Sequence, residues 1–177
     1  NGAQNHIYTM NPDGTNVFKV TNTVHIAGFN SEYINFSWAA NGSQIIYPNF
    51  DKLYRINSNG SGLLQIYQTP TNKLISECDW SFDGTKIALK TNNLNGYSAE
   101  LYIISSNGTF LAQVLTPVAG AIGGLDFSVS GSKLIFTRDV SGFESSGYRQ
   151  LDSRIFEYSF VSGISTQIVT EKTSGTN

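Results

Sequence analysis

A tandem repeat is the feature of this 177-residue chain that most restricts its fold. An eleven-residue block with an aromatic residue at its second position and a glycine at its sixth occurs three times, at 37–47, 79–89 and 126–136. The block glycines, Gly42, Gly84 and Gly131, lie 42 and 47 residues apart. A repeat of this length is typical of propellers and solenoids, so it narrows the architectures that the chain can adopt.

A second block alternates with the first. It begins with an apolar residue followed by an aromatic one, and a glycine comes seven residues after the apolar residue in three copies and eight after it in the fourth. The copies are Ile7-Tyr8 with Gly14, Leu53-Tyr54 with Gly60, Leu101-Tyr102 with Gly108, and Ile155-Phe156 with Gly163. One more apolar residue follows each glycine, and the four are Val20, Ile66, Val114 and, after a compensating shift, Ile168. The chain is therefore built from two alternating units.

Both blocks have the pattern of half-buried β-strands. Aromatic and β-branched residues alternate with polar ones, and Asn-Gly or Asp-Gly pairs such as Asn41-Gly42 and Asp83-Gly84 separate the runs. These pairs tolerate the positive φ that tight hairpins require. Helical periodicity is absent. The repeat unit is thus predicted to be four antiparallel strands in about 42–54 residues, the size of a β-propeller blade.

We therefore predict a single all-β domain over 1–177, a partial β-propeller with about three and a half blades. The first blade has only an outer hairpin, over about 6–22, and the full blades cover about 33–69, 75–116 and 122–171. The predicted strands are 6–11 and 17–22; 33–38, 43–49, 52–58 and 63–69; 75–81, 85–91, 99–106 and 110–116; and 122–128, 132–139, 153–160 and 165–171.

Composition narrows the classes of partner. Charged residues make up 14% of the chain, and eleven Lys and Arg against thirteen Asp and Glu leave a net charge of −2. A nucleic-acid partner requires a clustered positive field, so none is expected. No apolar run approaches the roughly 18 residues of a membrane span, and the polar first residues lack a signal-peptide pattern. The one cysteine, Cys78, argues against a disulfide and a cysteine-based zinc site.

The sequence contains no convincing catalytic constellation. It lacks a Gly-x-Ser-x-Gly nucleophile elbow, and its two histidines, His6 and His25, are not spaced as metal ligands. Glu77 with Asp79 is a conceivable carboxylate pair, but Asp126 occupies the slot of Asp79 in the next repeat. A repeated inner-strand Asp more often orders a blade by hydrogen bonding. We therefore predict that Asp79 and Asp126 line the central channel, with no catalytic residue, metal or cofactor.

The loops of one face are the expected binding surface. Alternating strand directions place the short glycine turns on one face and the long loops, about 21–32, 48–52, 90–99 and 138–152, on the other. Long loops on a rigid scaffold commonly carry binding residues. The predicted binding residues are His25, Asn93, Tyr97, Arg138, Asp139, Phe143, Glu144, Tyr148 and Arg149. Alternatively, Phe143 and Tyr148 fold back as a lid over the edge of the blade.

Two segments carry a resemblance to a known family. Asn11-Pro12-Asp13-Gly14-Thr15-Asn16 after Ile7-Tyr8, and Trp80-Ser81-Phe82-Asp83-Gly84-Thr85-Lys86-Ile87, resemble the TolB-type, WD-like β-propeller repeat. The resemblance implies a six- to eight-bladed propeller. The family includes a periplasmic interaction protein, the propellers of prolyl-oligopeptidase-like peptidases and many bacterial surface proteins. The fourth repeat departs from the motif, with Val129-Ser130-Gly131 and Val161-Ser162-Gly163 in place of the usual turns.

Three and a half blades do not close a ring of the usual size, and three explanations are open. The chain is a piece of a longer protein, or two copies align their half-rings, or a partner chain caps an open stack of sheets.

The expected function is that of a non-catalytic, extracytoplasmic binding propeller, periplasmic or secreted, with a protein or peptide as partner. The alternative is a propeller module of a larger enzyme, either a prolyl-oligopeptidase-like peptidase or a carbohydrate-active protein that binds oligosaccharides.

Overall fold

The computed structural model describes residues 6–22, 35–71, 73–93, 98–119, 122–140 and 153–168. Within these ranges the regular structure is entirely β-strand. The strands are β1 Tyr8–Thr9, β2 Phe18–Lys19, β3 Ser37–Trp38, β4 Gln44–Asn49, β5 Lys52–Asn57, β6 Leu64–Gln68, β7 Lys73–Trp80, β8 Lys86–Asn93, β9 Ser98–Ser105, β10 Phe110–Ala119, β11 Ile122–Phe127, β12 Lys133–Asp139, β13 Ser153–Ser159 and β14 Ile164–Gln167.

These strands form one two-stranded hairpin and three four-stranded antiparallel sheets. In each sheet the strands neighbour one another in chain order, as β3 to β6, β7 to β10 and β11 to β14 do. We call the hairpin blade one and the three sheets blades two, three and four. The predicted all-β, partial propeller with three and a half blades is confirmed.

The short turns between strands owe their shape to a repeated side-chain bond. In blade three, Gly84 has a φ of +72°, and Asp83 Oδ1 accepts bonds from the Thr85 backbone N–H at 2.9 Å and from its hydroxyl at 2.7 Å. Burial opposes ionisation of Asp83, but bonds from Ser81 and Thr85, with the Lys86 ammonium, lower its pKa to about 2. Side-chain bonds of this kind make Asn and Asp effective turn residues.

The hydrophobic core lies between neighbouring blades rather than inside one sheet. Three clusters of buried side chains follow one another along the chain, one at each blade contact. Val20 of blade one packs with Tyr47 of blade two, Leu53 of blade two with Leu89 of blade three, and Leu101 of blade three with Phe136 of blade four. The blades are therefore held together face to face, as in a propeller.

Some strand limits differ from those predicted. The strands of blade one are two residues long, Tyr8–Thr9 and Phe18–Lys19, in place of the predicted 6–11 and 17–22. Among the described residues, these two strands pair only with each other. Strand β10 runs three residues further than predicted, to Ala119, and three register shifts allow it to follow β9. Bulges of this kind leave no mark on the alternation of apolar and polar residues.

Candidate functional site

Side chains of one innermost strand bond to the backbone of the next innermost strand. The acceptors lie on β3 and β7 or just before β3, and the donors are backbone N–H groups of β7 and β11. The pairs are Asn35 Oδ1 with Cys78 at 3.0 Å, Ser37 Oγ with Trp80 at 3.1 Å, Glu77 Oε1 with Leu125 at 3.0 Å, and Asp79 Oδ2 with Phe127 at 3.1 Å. The same two repeat positions thus tie blade two to blade three and blade three to blade four.

Asp79, one of the two predicted channel residues, joins three blades. Its Oδ1 accepts a bond from the Ser37 hydroxyl at 3.0 Å, while its Oδ2 accepts one from the Phe127 N–H. Burial raises the pKa of Asp79, and the charge of Asp126 adds to this rise. Asp126 holds the same position in blade four but is exposed. The structure therefore places both carboxylates on innermost strands, and among the described residues it is Asp79 that bonds to a neighbouring blade.

The face with the long loops contains a bulky residue with a strained backbone. Phe50, in the two-residue turn between β4 and β5, has a φ of +56° and is 39% exposed. Positive φ is uncommon for a bulky residue. The Phe50 carbonyl accepts a bond from the Ile75 N–H at 2.8 Å, and the Asp51 carbonyl accepts one from the Thr69 N–H at 2.8 Å. Backbone bonds from Thr69, which follows β6, and from Ile75 on β7 of the next blade therefore hold the strained turn in place.

Buried polar atoms without a partner recur at the same place in three blades. Among the described residues, four side-chain atoms of this kind occur: Asn49 Oδ1, Thr91 Oγ1, Arg138 Nε and Ser165 Oγ. The first three stand two residues beyond the ends of the repeat blocks at 37–47, 79–89 and 126–136. They lie at the ends of β4, β8 and β12 that face the long loops. Arg138 was predicted as a binding residue, whereas Asn49 and Thr91 were missed. Reading the repeat two residues further would have found them.

A polar cluster surrounds this position in blade three. Thr91 pairs across the sheet with Glu100, whose side chain is buried. Lys73 donates to Glu100 Oε2 at 2.8 Å and to the Tyr102 hydroxyl at 2.6 Å. Gln113 Nε2 donates to Glu100 Oε2 at 3.3 Å. This arrangement holds a lysine ammonium close to the rim of the long-loop face, with part of its side chain open to solvent.

The other predicted binding residues are placed as follows. Asn93 lies at the end of β8 and Asp139 at the end of β12, on the same edge of neighbouring blades as Arg138. Asp139 is buried, and both Asn93 and Asp139 are engaged in interactions. The remaining predicted residues lie outside the described parts of the chain; they are His25, Tyr97, Phe143, Glu144, Tyr148 and Arg149.

The described residues offer neither a reactive thiol nor a cluster of metal ligands. Burial raises the pKa of the Cys78 thiol, which keeps it protonated and unreactive. Across the ranges that the structure describes, no group of three or more His, Cys, Asp or Glu residues could hold a metal ion. In those same ranges no helix is long and apolar enough to cross a membrane.

Solved structures share this fold. TolB from Acinetobacter baumannii superposes with a TM-score of 0.68 and 16% identity, over 93% of this chain and 37% of that protein. A TolB protein from Agrobacterium tumefaciens gives 0.65 and 16%, over 91% and 52%. Prolyl oligopeptidase B from Galerina marginata, in complex with a 25mer macrocyclization substrate, gives 0.61 and 16%, over 92% and 22%. The chain has the fold of a TolB-like propeller and spans about half, or less, of each of these proteins.

No family model matches the sequence. No curated protein sequence matches it either.

Proposed function

We propose that this chain is a non-catalytic binding scaffold that recognises a protein or peptide through its long-loop face and central channel. One observation carries the proposal: three equivalent positions, Asn49, Thr91 and Arg138, each hold a buried polar atom without a partner at the end of a blade that faces the long loops. A buried polar atom that lacks a partner destabilises a fold by about 1–3 kcal/mol. Three such atoms in one repeat position suggest that binding, rather than stability, determines the polar residues there.

The strained turn at Phe50 supports the same surface. Backbone strain of this kind costs on the order of 1–3 kcal/mol and clusters at ligand-binding sites. An exposed aromatic ring next to Asn49 offers apolar contact beside a hydrogen-bond acceptor, and Arg138 offers a guanidinium to a carboxylate. An extended peptide with an acidic side chain fits this set of groups.

The direct test selects ligands from a displayed library of short random peptides against the immobilised chain. Peptides that bind are then titrated calorimetrically with the wild-type protein, Arg138→Ala and Val161→Ser. Val161 is the control because it is 91% exposed on the opposite, short-turn face. We expect Arg138→Ala to weaken binding by about tenfold or more, a change of about 1.4 kcal/mol, and Val161→Ser to leave it unchanged. Equal losses in both variants would contradict the proposal.

Phe50→Gly separates binding from stability. Glycine adopts positive φ without strain, so this variant should unfold at a higher denaturant concentration than the wild type while binding the selected peptides more weakly. A variant that is more stable and binds as well as the wild type would remove Phe50 from the binding surface.

We also propose an extracytoplasmic location, periplasmic or secreted from a bacterium. The low content of charged residues, 14%, supports this location, as does the similarity to TolB proteins. Fractionation of the native cells with an antibody against this chain tests it, and recovery in the cytoplasmic fraction would contradict it.

The second candidate function is that of a propeller module in a larger enzyme. The similarity to prolyl oligopeptidase B favours it, because this chain matches less than a quarter of that protein. A hydrolase domain in the same gene would support the peptidase version. A carbohydrate-active version predicts binding on a glycan array that Tyr97→Ala or Tyr148→Ala abolishes.

A further inference from the structure

The glycine turns of the short-turn face share one backbone frame. In each of the seven such turns that the structure describes, the glycine N–H donates to the carbonyl of the first turn residue, as Gly42 does to Ala39 at 2.8 Å and Gly84 to Ser81 at 2.9 Å. We call this first residue the closing residue of the turn. In six turns it is polar, and the six are Asn11, Asn57, Ser81, Ser105, Ser128 and Ser159. In the seventh, the first turn of blade two, it is Ala39.

Each polar closing residue fastens its turn with a side-chain hydrogen bond. In the first turn of blade three, Ser81 Oγ accepts a bond from the Lys86 N–H at 2.9 Å. In the first turn of blade four, Ser128 Oγ accepts one from the Lys133 N–H at 3.1 Å. Ala39 has no side-chain oxygen, so the first turn of blade two lacks this bond.

Three of the turns contain an Asn-Gly pair: Asn41-Gly42, Asn59-Gly60 and Asn107-Gly108. The closing residue holds two of them. Asn57 Nδ2 donates to Ser61 Oγ at 3.0 Å in the second turn of blade two. Ser105 Oγ accepts from the Thr109 N–H at 3.0 Å in the second turn of blade three. The turn that contains Asn41 is the Asn-Gly turn without such a bond.

The surroundings of the three glycines differ in the same way. A Cβ built on Gly60 would lie 2.9 Å from the carbonyl oxygen of Val20, and one built on Gly108 would overlap the carbonyl oxygen of Ile66. The backbone of the preceding blade therefore covers both turns. Among the described residues, no atom lies within 4 Å of a Cβ built on Gly42, and Gly42 is exposed. Its turn is thus the least restrained of the three and is open to water.

We propose that Asn41 is a site of spontaneous deamidation, at which water converts the side-chain amide to a carboxylate. The Gly42 backbone nitrogen attacks Asn41 Cγ, the Cγ–Nδ2 bond breaks, and ammonia leaves with the proton that the Gly42 nitrogen gives up. Water then opens the cyclic succinimide. Cleavage of the new Cγ–N bond gives aspartate, and cleavage of the original backbone C–N bond gives isoaspartate.

The fold selects Asn41 because the reaction requires the turn to open. The Gly42 N–H must leave the Ala39 carbonyl, and Asn41 Oδ1 must leave the Ser43 N–H and hydroxyl, which it holds at 3.0 Å and 2.7 Å. Local opening is easiest where few contacts hold a segment, so Asn41 reaches the reactive geometry more often than the other two asparagines. The aspartate product fits the turn, since Asp83 holds the same position in blade three.

The first experiment incubates the 177-residue protein in a mildly alkaline buffer and follows each asparagine by mass spectrometry of its proteolytic peptides. We expect Asn41 to convert at least about tenfold faster than Asn59 or Asn107. In the urea-unfolded chain the three rates should be similar, because the local sequences are Asn-Gly-Ser twice and Asn-Gly-Thr once. Equal rates in the folded protein would overturn the proposal, as would an unchanged preference for Asn41 in urea.

The second experiment restores the missing bond without touching the reacting residues. Ala39→Ser supplies the closing hydroxyl that Ser81 provides in blade three, and should slow deamidation of Asn41 by about threefold or more. Ala40→Ser is the matched control, because Ala40 is the exposed neighbour and does not close the turn; it should leave the rate unchanged. Circular dichroism verifies that both variants are folded. Deamidation of Ala39→Ser at the wild-type rate, or equal slowing in both variants, would overturn the proposal.

Discussion

Blades three and four have the same strand order but different surroundings. Blade three packs against blade two on one side and blade four on the other, whereas blade four packs against blade three only, among the described residues. The equivalent residues Leu101 and Ile155 are 0% and 38% exposed. The repeat therefore supplies the strands, while a neighbouring blade supplies the burial that stabilises them.

Alanine substitutions at the equivalent positions Leu101 and Ile155 test this difference most strongly. Leu101→Ala should lower the free energy of unfolding by about 2–5 kcal/mol, because it leaves a cavity between blades three and four. Ile155→Ala should cost less than about 1 kcal/mol, because the side chain is partly in solvent already. Urea unfolding at a concentration at which the chain is monomeric measures both. Similar losses would show that Ile155 is covered in the folded protein.

A second pair compares the glycine turns between the third and fourth strands. Gly108 has a φ of +92°, and an added Cβ would overlap the backbone carbonyl of Ile66 in blade two. Gly163 has a φ of +68°, with its nearest neighbour, the Tyr158 hydroxyl, 3.9 Å from such a Cβ. Gly108→Ala should therefore destabilise by more than about 2 kcal/mol, and Gly163→Ala by about 1–2 kcal/mol from backbone strain alone. Equal midpoints in urea would contradict the close approach of blades two and three.

The inner-strand carboxylates provide a third comparison. Asp79→Ala removes the acceptor of the Phe127 N–H and of the Ser37 hydroxyl, and should cost about 1–3 kcal/mol. Asp126→Ala should change stability by less than about 0.5 kcal/mol. Hydrogen exchange measured by NMR should show that the Phe127 amide loses protection in Asp79→Ala only. Retained protection would show that the bond between the blades contributes little.

The smallest effect concerns the first turn of each blade and its dependence on pH. The pKa of Asp83 is about 2 in the folded chain, against 3.8 ordinarily. Because a lowered pKa favours the ionised folded state, Asp83 stabilises above about pH 4, and this contribution is lost as the pH falls toward 2. Solvent screening limits it to under about 1 kcal/mol, since the side chain is partly exposed.

The contribution of Asp79 to stability depends on pH in the opposite direction. Its raised pKa favours the protonated folded state, so its contribution is present at low pH and is lost as the pH rises from 3.8 through the folded value. Asp83→Asn lacks the carboxylate whose stabilising contribution is lost in acid. The melting temperature of this variant should therefore fall less steeply between pH 5 and pH 2 than that of the wild type.

Blade four has Ser130 at the position of Asp83. The Ser130 hydroxyl accepts a bond from the Ser132 N–H at 3.4 Å, which is longer than the 2.9 Å bond from the Thr85 N–H to Asp83 Oδ1 in blade three. Ser130→Asn should stabilise by about 0.5–1 kcal/mol at every pH. Asparagine is preferred to aspartate there because Gly131 lies against the Asp83 carboxylate. Destabilisation by Ser130→Asn would contradict the equivalence of the two turns.

Much of the fold could be predicted from periodicity. Strand β5 was predicted at 52–58 and runs from Lys52 to Asn57, and β9 was predicted at 99–106 and runs from Ser98 to Ser105. The alternation of apolar and polar side chains and the Asn-Gly or Asp-Gly turns are local signals, so they can be recognised without knowledge of the neighbouring blades. The candidate site was harder to predict. Arg138 was predicted from its loop, but the unpartnered atoms of Asn49 and Thr91 arise only when neighbouring strands surround those residues.

The repeat, the order of strands within each blade and the position of the short turns follow from the amino-acid sequence, because they depend on contacts between residues close in the chain. Which repeated residues are buried in the core and which are exposed depends on how the blades pack against one another. Ile46 and Ile135 occupy the same repeat position, yet Ile46 is 0% exposed and Ile135 is 37% exposed. The difference is physical, since burial depends on the presence of a neighbouring blade.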